Sequence, residues 1–130
     1  MINVALFGFG RIGEMHAENL IKHKEIKLLY IFDKSVQLSN KARKLYNCKI
    51  EKNYNNIFKD KHLDIIFIAS PTNTHIKFLE LGIKYNKTIF CEKPLDLDIK
   101  KIIKTLKKIK KKNQKYNWVL IEDMTQVIIQ

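Results

Sequence analysis

The sequence predicts an α/β fold, a doubly wound parallel sheet of strand order 3-2-1-4-5-6 with helices on both faces. Three observations lead there. First, the apolar run Val4-Ala5-Leu6-Phe7 breaks into Gly8-Phe9-Gly10-Arg11-Ile12-Gly13, after which Glu14 to Lys24 has helical composition. Second, strand-like and helix-like runs alternate along the chain with short connections, and right-handed βαβ crossovers then leave one simple topology. Third, Asp64-Ile65-Ile66-Phe67-Ile68-Ala69 is apolar on both faces, which requires a layer of helices on each side.

The glycine bend is the element with the most chemistry. Gly8 permits a tight turn out of the first strand, Gly10 lets backbone approach a pyrophosphate, and Gly13 lets the helix lie close to the strand. The free N–H groups and positive dipole end of that helix would face the phosphates. The second strand, Leu28-Leu29-Tyr30-Ile31-Phe32, ends in Asp33, twenty residues after Gly13. A carboxylate at that distance accepts hydrogen bonds from the adenosine ribose hydroxyls and repels a 2′-phosphate, so NAD is favoured over NADP. The alternative is that Asp33 begins a polar turn with Lys34 and Ser35.

Val36 to Tyr46 carries Leu38, Ala42 and Leu45 on one helical face. Cys48-Lys49-Ile50 reads as a short third strand, and Tyr54 to Phe58 as a single helical turn. The fourth strand stops at Ser70-Pro71-Thr72-Asn73, since proline gives no N–H to a ladder. Thr74 to Tyr85 follows as a helix with Ile76, Leu79 and Ile83 inward. Thr88-Ile89-Phe90-Cys91 is the fifth strand, stopped by Glu92-Lys93-Pro94. Both prolines of the chain thus fall just past the carboxyl ends of strands, the edge where open parallel sheets bind ligands. Asp96 is placed to cap the next helix, with Asp98 in its first turn. Ile99, Ile102, Ile103, Leu106 and Ile109 then mark its inner face. A sixth strand is expected near Trp118.

Composition narrows the function classes. The chain has 130 residues, 45% apolar and 29% charged, which suits one globular domain. No apolar stretch reaches the length of a membrane span and no leader precedes the first strand, so a cytoplasmic protein with no membrane partner is expected. Cys48 and Cys91 have no metal-ligand spacing, and no metal site is expected. The net charge of +12 raises nucleic acid as a partner. Of the 25 basic residues, however, only Arg11 and Arg43 are arginine, and nucleic-acid sites favour arginine with interleaved aromatics. Lys, Ile and Asn together make 54 residues, the bias of an A/T-rich coding sequence, so the charge is read as a solvated surface.

With these residues placed, the chain resembles the N-terminal domain of the glucose-fructose oxidoreductase and inositol dehydrogenase family, nearest its inositol dehydrogenase branch. The resemblance rests on Gly8 to Gly13 with His16, on Ala69-Ser70-Pro71-Thr72-Asn73-Thr74-His75, and on Cys91-Glu92-Lys93-Pro94-Leu95-Asp96-Leu97-Asp98. It covers residues 1 to 117 and implies a Rossmann-type NAD-binding domain. On matching positions it implies that Phe9, Arg11 and Ile12 line the pyrophosphate and that Asp33 meets the ribose. Ser70, Pro71, Thr72, Asn73 and His75 would lie along the cofactor, with Glu92 and Lys93 near the nicotinamide and substrate. Lys93 would be the catalytic lysine, holding a polyol or sugar hydroxyl and assisting proton movement during hydride transfer; its long stem suits that reach. A cis peptide before Pro94 is also implied.

The family pattern includes a second α/β domain that supplies the rest of the substrate pocket and any oligomer interface, and these 130 residues lack it. The expected division is a nucleotide-binding domain at 1–118 and a tail at 119–130. A one-frame shift at codon 118, with permitted codon choices, turns the tail into GFNRRYDPSYNS, the motif the family carries at this point. The tail is therefore expected to be an out-of-frame translation. The expected function is the nucleotide-binding half of an NAD-dependent oxidoreductase, inactive alone. The rivals are a stand-alone nucleotide-binding module, a basic nucleic-acid-binding protein and a pseudogene product.

Overall fold

The computed structural model describes residues 1–111 and 119–121. Five parallel strands stand in the order expected, β3-β2-β1-β4-β5: β1 (Ile2–Phe7), β2 (Ile26–Phe32), β3 (Lys49–Ile50), β4 (Ile65–Ile68) and β5 (Thr88–Cys91). Val119–Ile121 adds a short β6, parallel to β5. Trp118 and residues 122–130, on which most of the tail expectation falls, lie outside the described residues. The helices are α1 (Arg11–Leu20), α2 (Val36–Leu45), α3 (Tyr54–Lys59), α4 (His75–Lys84) and α5 (Ile99–Lys111). A single 3-10 turn, Thr72–Thr74, leads into α4.

Each face of the sheet has its own core. Val4, Leu6, Leu28, Ile31 and Phe67 pack beneath α1 and α2 with Ala17 and Ala42. On the other face Ala5, Phe7, Ile66, Ile68, Ile89 and Cys91 meet α3 and α4, where Phe7 touches Phe32, Phe58 and Phe78 at ring separations of 5.3, 5.1 and 4.8 Å. Successive side chains along a strand point to opposite faces, and the parallel pairing leaves the carboxyl ends of β1, β2, β4 and β5 along one rim.

Several elements differ in detail from the sequence reading. Helix α1 starts at Arg11 inside the glycine bend and ends at Leu20, before Lys24. Helix α4 buries His75 and Phe78 besides Leu79 and Ile83, while Ile76 is half-buried. Helix α5 turns Thr105 inward and leaves Ile99 and Ile103 exposed; Ile102 and Ile109 are its packed residues. Its first turn is capped by Asp98, whose Oδ1 accepts the Lys100 amide, while Asp96, two residues earlier, accepts the Asp98 amide. Leu45 of α2 is exposed and Ser39 takes a buried place, its hydroxyl donating to the Asp33 carbonyl.

The opposite edge of the sheet is fastened by two polar side chains. Lys87 is buried and its Nζ donates to the carbonyls of Asp60 and Leu63 at 2.6 and 2.8 Å. Desolvation lowers its pKa, against the pull of the Asp60 and Asp64 carboxylates. The Tyr30 hydroxyl donates to Asp60 Oδ2 at 2.7 Å. Burial first, and that bond second, push the Tyr30 hydroxyl up to about 12, and the same bond holds the Asp60 carboxyl below its usual range. Above pH 10.0 an unfolded Tyr30 gives up its proton while the folded one keeps it, so stability falls as pH rises toward 12. Thermal melts across that interval are expected to show a shallower alkaline loss in Tyr30→Phe than in the wild type. Cys91, raised to about 12 by burial, and Tyr46 and Cys48, raised by burial as well, contribute to the part that remains.

Candidate functional site

At the rim, φ of +93° at Gly8 turns the chain out of β1, a conformation that L side chains rarely adopt. A Cβ on Gly8 would also meet the Ala69 carbonyl oxygen at 2.5 Å, and one on Gly13 would strike the Gly8 carbonyl. At Gly10, by contrast, a Cβ meets nothing within 4 Å. Gly10 is the N-cap of α1 and no side chain caps that helix end. The loop therefore combines two crowded glycines, which seat α1 against the sheet, with one facing open space. Uncapped N–H groups at a helix start attract an anion.

Asp33 is tied into this bend. Its Oδ2 accepts the Phe9 amide and its Oδ1 the Ser35 amide, both at 2.8 Å, so the carboxylate is fixed while each oxygen keeps a lone pair. The same arrangement explains the place of Phe9, which contributes its backbone to the bend while its ring is fully buried, edge-on to Tyr46 at 5.9 Å.

One groove of about 590 Å³ brings most of the expected residues together: Gly8, Gly10, Arg11, Ile12, Asp33, Ser70, Pro71 and Asn73. Lys34, Leu38, Phe32, Thr74 and Phe78 also line it. Sequence reading passed over these, although Lys34 and Leu38 flank Asp33 and its helix cap closely enough to have been included. Gly13 and Phe9 lie beneath the groove rather than in its wall. Thr72 stands in the 3-10 turn beside the groove. His75 is 2% exposed, its Nε2 2.7 Å from the Ser70 carbonyl and its Nδ1 2.8 Å from that of Pro94. The ring thus joins the loop after β4 to the loop after β5.

Glu92 and Lys93 follow β5 on the same rim, outside the groove wall. The Glu92 amide donates to the Ile68 carbonyl, extending the β4–β5 ladder, and the Lys93–Pro94 peptide is cis, as the resemblance implied. Lys93 is exposed and Glu92 half-buried. A larger groove, about 940 Å³, runs between α4 and α5 with Lys77, Lys84, Lys101, Lys104, Lys108 and Lys111 among its lining, and shares only Asn73 with the rim groove. It has volume but no glycine bend. Among the described residues no group of three or more His, Cys, Asp or Glu could hold a metal ion, and no helix is long and apolar enough to cross a membrane.

Comparison with known proteins adds an independent line. The model of an oxidoreductase family with an NAD-binding Rossmann fold matches residues 2–119. A myo-inositol 2-dehydrogenase of Thermotoga maritima is 32% identical over 111 residues, covering 85% of this chain and 33% of its own. An inositol 2-dehydrogenase of Rhizobium meliloti is 30% identical over 106 residues, covering 82% of this chain and 32% of its own. Among solved structures, a scyllo-inositol dehydrogenase of Lactobacillus casei with bound NAD(H) and scyllo-inositol superposes with a TM-score of 0.83 at 26% identity, over 94% of this chain and 36% of that one. The chain spans about a third of the length of the curated relatives it matches.

Proposed function

The chain belongs to the GFO/IDH/MocA oxidoreductase family with its NAD-binding Rossmann fold, and from that premise we propose that it is the nucleotide-binding half of an NAD-dependent oxidoreductase acting on a polyol or sugar such as myo-inositol. The observation that carries the reading is the single groove in which the glycine bend, the Asp33 carboxylate and the Ser70–Pro71 loop meet. The uncapped start of α1 holds the pyrophosphate, with Gly10 leaving room for it and Arg11 and Ile12 beside it. Asp33, already oriented by two amides, offers its remaining lone pairs to the adenosine ribose. Ser70, Pro71, Thr72 and Asn73 flank the stretch toward β5, and His75 holds that stretch in place from below. Glu92 and Lys93 stand at the nicotinamide end, where Lys93 holds the substrate hydroxyl and moves its proton. Bound there, the nicotinamide ring supplies the hydride chemistry.

Turnover by these 130 residues alone is expected to be negligible, because half a pocket neither orients a polyol nor excludes water. The reaction is assigned to the cytoplasm, with no metal and no nucleic acid taking part. Calorimetry of the folded chain with millimolar NAD tests the cofactor reading, and a flat trace sinks it. The choice between NAD and NADP rests on Asp33. A 2′-phosphate would meet its carboxylate but also the Lys34 ammonium in the same groove. Asp33→Ala is expected to weaken NAD by roughly ten- to a hundredfold, the loss of hydrogen bonds to a charged group. Both nucleotides lose the anchor that Asp33 gives the Phe9 amide, but NADP should lose less, because Lys34 remains; parallel titrations that fall equally would remove Asp33 from the ribose.

The pairing of Val119–Ile121 with β5 favours one second reading, a self-contained nucleotide-binding module. Sequencing the DNA through codon 118 separates the two: a family motif in another frame supports the oxidoreductase half, and its absence supports the module.

A further inference from the structure

His16 belongs to neither groove, yet it makes a short side-chain contact on the rim. From the face of α1 turned toward β4 and β5, its Nε2 lies 2.5 Å from Glu92 Oε1, with each side chain only 13% exposed. The ring is held by Phe67 and Phe90, at centroid separations of 4.5 and 5.9 Å, and these two stack on each other at 4.1 Å. Packing against two aromatic rings leaves the imidazole little choice of orientation, so it presents a fixed nitrogen to the carboxylate. A hydrogen bond to an ionised carboxylate shielded from water is stronger than one in solvent. The other carboxylate oxygen accepts the Lys93 amide at 3.3 Å. A connection therefore runs from α1 through Glu92 to the backbone of Lys93.

We propose that His16 is a positioning residue for the nicotinamide end of the site: it fixes the Glu92 carboxylate and, through it, the backbone that carries Lys93. Helix α1 then serves the cofactor twice. Its first turn faces the phosphates, and its second turn braces the loop after β5, where the far half of an extended dinucleotide falls once it has crossed the switch point between β1 and β4. The inference rests on the NAD-binding reading, and it separates two parts of the ligand. A brace at the nicotinamide end matters for whole NAD and not for ADP-ribose, which ends before the nicotinamide.

The test uses the full chain, with affinities for NAD and ADP-ribose measured by calorimetry on the wild type, His16→Leu and His16→Gln. Leucine keeps the bulk without a donor, whereas glutamine returns an N–H near the position of Nε2. The expected result is a roughly tenfold loss of NAD affinity in His16→Leu, the size of a hydrogen bond to a charged group. ADP-ribose affinity should change by less than about twofold, and His16→Gln should recover most of the loss. Without nucleotide, the Lys93 amide resonance should move in His16→Leu and return toward its wild-type place in His16→Gln. Equal losses for both ligands, or a Lys93 amide that stays put in His16→Leu, would overturn the assignment and leave His16 as packing. A wild type that binds both ligands with a ratio unchanged in His16→Leu defeats this inference alone; one that binds neither defeats the cofactor reading and this inference together.

Discussion

Gly13→Ala is expected to lower the stability of the chain by about 3 kcal/mol or more, a drop of roughly 10 °C in melting temperature, because the added methyl lands on backbone that cannot give way. The atoms it strikes are the carbonyl group of Gly8, itself held at φ +93° by the turn out of β1. Helix α1 has to lift from the sheet, carrying with it the N–H groups proposed to face the phosphates. Gly10→Ala makes the contrast. At φ −73° with nothing near its Cβ position, it costs the fold little. Its methyl stands instead in the open space assigned to the pyrophosphate, so nucleotide affinity should fall while the melt hardly moves. Melting curves and calorimetry on the two variants separate a glycine needed for packing from one needed for a ligand. A Gly10→Ala chain that binds NAD as well as the wild type would remove the phosphates from the bend.

His75→Phe is expected to cost about 3 kcal/mol although it preserves the ring's bulk. The Ser70 and Pro94 carbonyls face its two nitrogens at 2.7 and 2.8 Å in a site closed to water. Each neutral tautomer of His75 donates to one of them and the imidazolium to both; phenylalanine donates to neither. The loops after β4 and β5 then lose their common fastening, so NAD binding should weaken along with the melting temperature. His75→Phe with an unchanged melt would show that those carbonyls find other donors, and would reduce the histidine to filler.

The architecture was legible because its signals are local. Ile65–Ile68 and Thr88–Cys91 are strands whose apolar residues face both layers, and the bend between β1 and α1 is written in three of the chain's four glycines. Helix α5 shows where such reading stops. Its isoleucines repeat at helical spacing, but spacing alone does not tell which half of a wide apolar stripe meets the sheet, and the packed line runs through Ile102, Thr105 and Ile109. The site divides in the same way. Gly10, Asp33 and Ser70 could be placed in one groove from the topology alone. The burial of His75 and Phe9 could not, since both depend on contacts between segments far apart in sequence. The contact of His16 with Glu92 spans 76 positions and has no pattern in either segment to announce it.

The hydrogen bond from the Phe9 amide to Asp33 couples two duties that are usually discussed apart. On the proposed NAD reading, any lineage, or any engineer, seeking to convert this chain to a phosphorylated nucleotide by discarding the acid would also unhook the bend proposed to carry the diphosphate. A successful conversion needs a small acceptor such as serine or asparagine at position 33 together with a cation to balance the extra charge, and the cation is already next door at Lys34. Retooling here is therefore a problem of keeping an anchor while changing a sign, and the first step open to it is a polar isostere rather than a deletion.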